Sequence, residues 1–332
     1  MRKMYIIGNG FDKAHGLDTN YWNFREHLQK THPDFLLRFE DLYGFRPLDD
    51  TEYGYSEELQ KRWNTEVSHE LWSKFEEKMA MPDIQSMLSF SESVVGGLAL
   101  ESGNIGIKDT MDYYWEHEYG FVKELQAYVK EWISQIDLST ITPICQRLIS
   151  NREDLFFNFN YTGVLEEVYK IPHVLHIHGS ILSEWHGDPI IGHCNREEIQ
   201  KRRSLSHKAE ERFDEGDASI QDAIADYLET IYKDTAHLIN INRSFFQQLC
   251  DVDQVVVIGW SAGEVDLPYL RKIRDSVHKN TKWTVFYYAK DSADREAYDS
   301  LRTACKKCRI HKKFKLEFKN SKQFWDGADK RK

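Results

Sequence analysis

The chain has 332 residues, 44 Lys and Arg against 54 Asp and Glu, and a formal net charge of −10 at pH 7. That balance argues against a general electrostatic affinity for nucleic acid, although a local basic patch is read near Lys306 to Lys315. With 9 Trp, 17 Tyr and 18 Phe, the composition excludes disorder over most of the length and permits a sizeable core.

No apolar run approaches about 18 residues, so no transmembrane helix and no membrane partner are expected. Met4-Tyr5-Ile6-Ile7 is too short for a signal peptide. Five cysteines form an odd count without framework spacing, and Cys305-Lys306-Lys307-Cys308 lacks a second pair for structural zinc. The expectation is a cytoplasmic protein of a reducing compartment, with no bound metal.

In chain order, strands are predicted at Lys3–Gly8, Asp154–Phe159, His173–Ile177, Pro189–Gly192, Gln254–Gly259 and Lys282–Ala289. Several are apolar on both alternating faces, the pattern of a parallel sheet covered on both sides. Roughly 145 residues with almost no strand signal separate the first two. Within them Trp22–Thr31, Ser56–Ala80 and Phe121–Gln135 read as helices, and Phe45–Tyr55 and Glu101–Asp109 as loops. A second helical block is expected around Asp217–Leu249, preceded by a charged run at Glu198–Glu215 read as a solvated helix or a loop. The expected organisation is a discontinuous α/β core (1–20 and 151–320) with a helical insertion (21–150) and a second helical excursion (197–250).

Four clusters could carry chemistry. The first strand breaks into Gly8-Asn9-Gly10, with Phe11, Asp12, His15, Gly16 and Leu17 beyond. Glycines there allow close backbone approach to a ligand, and nucleotide-binding folds place phosphate contacts after strand one. The same residues also suit an ordinary tight turn, with Asp12 as a helix cap. The second cluster is Phe157-Asn158-Phe159-Asn160-Tyr161-Thr162, followed by Glu166. The Asn160 amide can hold a sugar hydroxyl or a water, and Asn160 or Thr162 could equally cap a helix. The third, His176-Ile177-His178-Gly179, puts two imidazoles on one strand face, which raises a metal site or a general base against a structural role.

The fourth cluster is Gly259-Trp260-Ser261-Ala262-Gly263-Glu264-Val265-Asp266, after Val255-Val256-Val257-Ile258. Its Gly-x-Ser-x-Gly outline suggests a nucleophile elbow, but the required acid and His would have to come from the region of His278 or His311. A glycine turn with Glu264 and Asp266 facing ribose hydroxyls fits the pattern equally.

Taken in order, these clusters resemble the AbiH family of bacterial phage abortive-infection proteins. The matching pieces are Ile7-Gly8-Asn9-Gly10-Phe11-Asp12 with His15-Gly16-Leu17, Trp72 with Phe75-Glu76, Phe159-Asn160-Tyr161-Thr162, His176-Ile177-His178-Gly179, and Gly259-Trp260-Ser261 with Gly263-Glu264 and Asp266. Trp260 stands where a His before the Ser is expected. The family is in turn similar to sirtuin-like proteins, so the implied fold is α/β, sirtuin-like or Rossmann-type, a mostly parallel sheet with large helical insertions.

That resemblance implies an NAD-consuming anti-phage effector in which NAD is substrate or ligand. Asn160 and His178 would carry cleavage. Gly8, Asn9, Gly10, Phe11, Asp12, His15 and Thr162 would hold the dinucleotide, with Gly259, Ser261, Glu264 and Asp266 toward its distal end. A phage or host protein trigger and a homo-oligomer are expected alongside. Two alternatives stand beside it: a non-catalytic nucleotide-sensing module, and a metal-dependent nuclease using Asp12, Glu76, Glu264 and Asp266.

Overall fold

A computed structural model of the chain describes residues 1–46, 57–101, 106–145, 148, 153–182, 187–291 and 293–326. The chain folds into two compact units, one of Met1–Asn20, Val129–Ile190 and Asp234–Lys332, the other of Tyr21–Tyr128 and Ile191–Lys233.

The first unit is built on one six-stranded sheet. Its strands are β1 (Lys3–Ile7), β2 (Leu155–Asn158), β3 (Val174–His176), β4 (Gln254–Ile258), β5 (Lys282–Tyr287) and β6 (Leu316–Asn320). All neighbours pair in parallel, in the order β3-β2-β1-β4-β5-β6. This is the strand order of the Rossmann-like doubly wound sheet, which reverses direction between β1 and β4.

Strand alternation sorts the core into two faces. Met4, Ile6, Phe157, Val255, Val257, Trp283 and Val285 bury one face against Leu238, Phe246, Leu270, Ile273 and Leu301. Tyr5, Ile7, Phe156, Val256, Ile258 and Phe286 bury the other against Phe11, Val164, Leu165, Tyr169 and Phe324. Both faces being covered is the reason these strands are apolar throughout. Ile7, Asn158, His176 and Ile258 stand in register as the last paired rung, so the chain leaves four neighbouring strands at one edge of the sheet.

The second unit is helical. Its segments include Tyr21–Thr31, Pro33–Leu42, Glu57–Glu70, Ile84–Glu101, Ile107–Tyr119, Arg196–Glu211 and Glu215–Thr230. Its centre holds Phe24, Phe39, Trp72 and Phe75, with the Trp72 and Phe75 rings stacked 4.5 Å apart. The Arg25 guanidinium donates twice to the buried Glu40 carboxylate, at 2.7 and 3.1 Å, and the Trp72 indole N–H donates to the same group at 2.8 Å. Lys233, fully buried, donates from Nζ to Glu76 Oε1 at 2.7 Å. The motif Trp72 with Phe75-Glu76 is therefore occupied with packing and charge pairing inside this unit.

Several expectations need correction. Pro189–Gly192 forms no strand; Ile190 N–H donates to His178 O at 2.8 Å, an isolated bridge follows at His193 with Tyr232, and Pro189 has no N–H to offer a ladder. β6 was not expected, because Leu-Glu-Phe-Lys-Asn looks like a charged tail; it is an edge strand, half-buried along its length. The helix expected over Ser56–Ala80 ends at Glu70 and passes through a 3-10 turn, Trp72–Lys74, before Phe75–Lys78. Such a turn eclipses residues three apart, which lets Trp72 and Phe75 stack.

Similarly, Phe121–Gln135 opens as a 3-10 turn before the helix Leu125–Ser134. Asp217–Leu249 divides into Glu215–Thr230, Thr235–Ile241 and Arg243–Gln247. The charged run is the helix Arg196–Glu211, capped by Asn195. Of the two expected loops, Phe45–Tyr55 lies outside the described residues beyond Arg46. The other already begins a helix at Ile107. Among the described residues no helix is long and apolar enough to cross a membrane.

Candidate functional site

The loops leaving β1 and β4 touch each other through their backbones. Gly8 N–H donates to Ile258 O at 3.1 Å, Gly10 N–H to Gly259 O at 2.7 Å, and Phe11 N–H back to Gly8 O at 2.9 Å. A Cβ added at Gly8 would stand 2.6 Å from Trp260 Cα, and one at Gly259 only 2.3 Å from Phe11 N. Gly259 also has φ +72°, where a side chain is strained. These glycines are required by the approach of two loops, and three of the turn's N–H groups are used within the protein. Asn9 accepts at Oδ1 from the Thr19 hydroxyl.

Directly beyond this contact lies a buried polar cluster. Asp12 is 1% exposed. Its Oδ1 accepts from Asn160 Nδ2 at 2.8 Å, and its Oδ2 accepts from the Thr162 hydroxyl. Asn160 Nδ2 also donates to Gly8 O at 3.3 Å, and Asn160 N–H donates to Asn158 Oδ1 at 3.1 Å. Both amide hydrogens of Asn160 thus face acceptors, which sets the amide's orientation and leaves Oδ1 as its remaining acceptor. Burial pushes the Asp12 carboxyl up to about 7, opposed by the hydrogen bonds from Thr162 and Asn160 and by the nearby His176.

The two histidines expected to share a strand face take separate partners. His176 ends β3 in register with Asn158; its Nδ1 lies 2.8 Å from Asn160 O and its Nε2 2.7 Å from Glu166 Oε1. His178 lies beyond the strand, its ring 5.6 Å from Phe159 and 5.3 Å from Tyr269. Its Nε2 is 4.0 Å from Asp266 Oδ1. The other oxygen of Asp266 accepts from the Trp260 indole N–H at 2.9 Å. Trp260 supplies a ring N–H donor at the position where a His was expected. Gly179 follows with φ +79°, and a Cβ there would meet Asp188 O at 2.2 Å.

Other anticipated residues stand apart from this cluster. Phe11 is fully buried in the core. His15 uses both ring nitrogens, Nδ1 with Phe11 O at 2.8 Å and Nε2 with the Tyr169 hydroxyl at 2.7 Å, and burial holds its pKa below the usual range. Ser261 is exposed, and the backbone strain falls on Ala262 (φ +67°), not on the serine. That arrangement does not make a nucleophile elbow. Glu264 is exposed and pairs with Lys307.

Of the residues gathered here Tyr269 was not singled out from the sequence, whereas Glu166, His176 and Trp260 stood in the four clusters without a place in the expected dinucleotide site. The strand-terminal positions of His176 and Trp260 were the available signal. Further along the same sheet edge, the ends of β5 and β6 border a cleft of about 500 Å³ lined by Tyr287, Asp291, Asp294, Arg295, Tyr298 and Asn320. There the Arg295 guanidinium lies 5.1 Å over the Tyr298 ring.

No curated protein and no solved structure matches the chain. A protein-family model described as bacteriophage abortive infection AbiH matches residues 4–287.

Proposed function

The chain belongs to the AbiH family of bacteriophage abortive infection proteins, and from that premise we propose that this anti-phage protein binds NAD and hydrolyses its bond to nicotinamide. The observation that carries the reading is the Asn160 amide, held by Asp12 and Gly8 at the carboxyl end of β2 with one acceptor left to serve a ligand. Doubly wound sheets take dinucleotides across the switch in strand order, one nucleotide toward each half. The polar cluster at β1–β3 is the reacting end. The Tyr- and Arg-lined cleft at β5 and β6 receives the adenine nucleotide, the ring against tyrosine and the phosphate toward Arg295.

In the reaction, the glycosidic bond breaks with its electron pair leaving on nicotinamide, a neutral product. The ribose C1′ gains oxocarbenium character and is captured by water. Asn160 Oδ1 accepts a hydrogen bond from that water or from a ribose hydroxyl and fixes its approach. His178 takes the water's proton and passes it to solvent, giving ADP-ribose. Asp266, oriented by the Trp260 N–H, stands 4.0 Å from His178 and stabilises the imidazolium that forms. Phe159 and Tyr269 wall the imidazole against bulk water.

The nuclease alternative asks four carboxylates to gather around one ion. Each has another engagement: Asp12 with Asn160 and Thr162, Glu76 with Lys233, Glu264 with Lys307, Asp266 with Trp260.

The test is nicotinamide release from NAD by the purified protein, beside Asn160→Ala and His178→Ala. Release that both substitutions lower by about 10²–10⁴ is expected. NAD binding without release would turn the reading to a sensing module, and neither binding nor release would overturn it.

A further inference from the structure

Asn160 is held from its main chain as well as from its side chain. Its carbonyl oxygen meets His176 Nδ1 at 2.8 Å, and on the far side of that ring Nε2 meets Glu166 Oε1 at 2.7 Å. A backbone carbonyl can only accept, so Nδ1 must carry a hydrogen. The second contact must then hold a proton too, because a bare Nε2 lone pair facing a bare carboxylate oxygen would repel at that distance. Either Nε2–H donates to the carboxylate, or the carboxylic acid O–H donates to Nε2. In both cases one proton lies on the Nε2–Oε1 axis and the pair as a whole is neutral.

We propose that Glu166 and His176 are positioning residues, which lock the Asn160 main chain through a proton kept between Nε2 and Oε1. The ring of His176 is completely enclosed, and Glu166 sits in a five-residue π turn, Val164–Val168, packed beside β3. π turns are rare and frequently lie at functional sites. Asn160 is thereby gripped at three atoms: its carbonyl by His176, its N–H by Asn158, and its amide nitrogen by Asp12 and Gly8. None of the three grips uses Oδ1.

The chain of bonds makes a prediction that a charge-based role does not. Glu166→Gln replaces the shared proton with an amide N–H donating to a neutral His176 Nε2, so the grip on Asn160 survives the loss of the acid. Glu166→Ala removes it. The effect on turnover rests on the proposed function, whereas the proton's place does not, so the two are read separately.

The experiment is nitrogen–proton long-range NMR on the full chain labelled at its histidines, of which there are 14, with His176→Gln identifying the signal. At neutral pH the wild type should show His176 Nδ1 proton-bearing. In Glu166→Gln, Nδ1 stays so while Nε2 becomes a bare, hydrogen-bonded nitrogen. A wild-type spectrum with Nδ1 bare overturns the proposal, whatever the variants do. In parallel, nicotinamide release should fall ~10–100-fold in Glu166→Ala and stay within about threefold of wild type in Glu166→Gln. Equal loss in both variants would mean that the carboxylate acts by its charge and would overturn the positioning role. If the wild type releases no nicotinamide, the proposed function fails and the NMR arm alone decides the proton's place.

Discussion

The Asp12 carboxylate accepts a 2.8 Å hydrogen bond from the Asn160 amide across 148 residues of chain. It joins the turn after β1 to the end of β2, and burial pushes the carboxyl up to about 7. An unfolded carboxyl loses its proton near 3.8, so between about 4 and about 7 the folded chain holds a proton that the unfolded chain has released. Stability from this group is therefore fully present below about pH 4 and is lost as pH rises to about 7, by at most a few kcal/mol. Asp12→Asn keeps groups that can bond Asn160 and Thr162 without the charge. Its melting temperature should vary less than wild type from about pH 5 to about pH 8, and be the higher of the two at the upper end. Parallel profiles would sink the assignment.

Closeness of the β1 and β4 loops gives a second expectation. Gly259→Ala places a Cβ 2.3 Å from Phe11 N at a φ of +72° and should destabilise by about 2–4 kcal/mol in urea unfolding. Gly187 has the same φ with nothing within 4 Å, so Gly187→Ala should cost only about 1 kcal/mol. Equal losses would show that backbone conformation, not loop contact, governs Gly259.

Trp260 can be tested through its indole nitrogen. Trp260→Phe keeps an aromatic ring beside Phe159 but leaves Asp266 Oδ2 without its 2.9 Å donor. A loss of about 1–3 kcal/mol is expected, because a buried acceptor forfeits its partner. Asp266→Asn in the Trp260→Phe background should recover part of it. Additive losses in the double variant would refute the coupling.

The helical unit offers a charge-pair test. Lys233→Met strands a mostly buried Glu76 and should cost about 3–5 kcal/mol. Adding Glu76→Gln removes the stranded charge, so the double variant should be more stable than Lys233→Met alone. Chemical denaturation of the four forms measures the coupling, and a double variant weaker than either single one would contradict it.

Most of the sheet was legible because its strands are short, apolar and ended by glycine or asparagine. Lys3–Ile7 before Gly8, Leu155–Asn158 and Gln254–Ile258 before Gly259 announce themselves in this way. β6 was hidden because an edge strand needs only half of its side chains to be apolar, and Leu316-Glu317-Phe318-Lys319 shows no more than that. The polar residues at the strand ends could be found, but not their partners. Nothing local reveals that Asp12 meets Asn160, or that a π turn brings Glu166 to His176. The glycine turn was ambiguous for a related reason. A residue without a Cβ reports that something comes close, and the backbone of Gly259 does so here.

β1 is made before the five other strands of its sheet, yet it stands in the middle of the order, between β2 and β4. The N–H of Arg2 is bound by Asp253, 251 residues later. At about 5–20 residues per second, synthesis of that interval takes on the order of tens of seconds. Throughout it, Tyr5, Ile6 and Ile7 lack the strand that completes their ladder, and Asp266 does not yet exist beside His178. An interrupted translation product thus carries the opening motif without the assembled site.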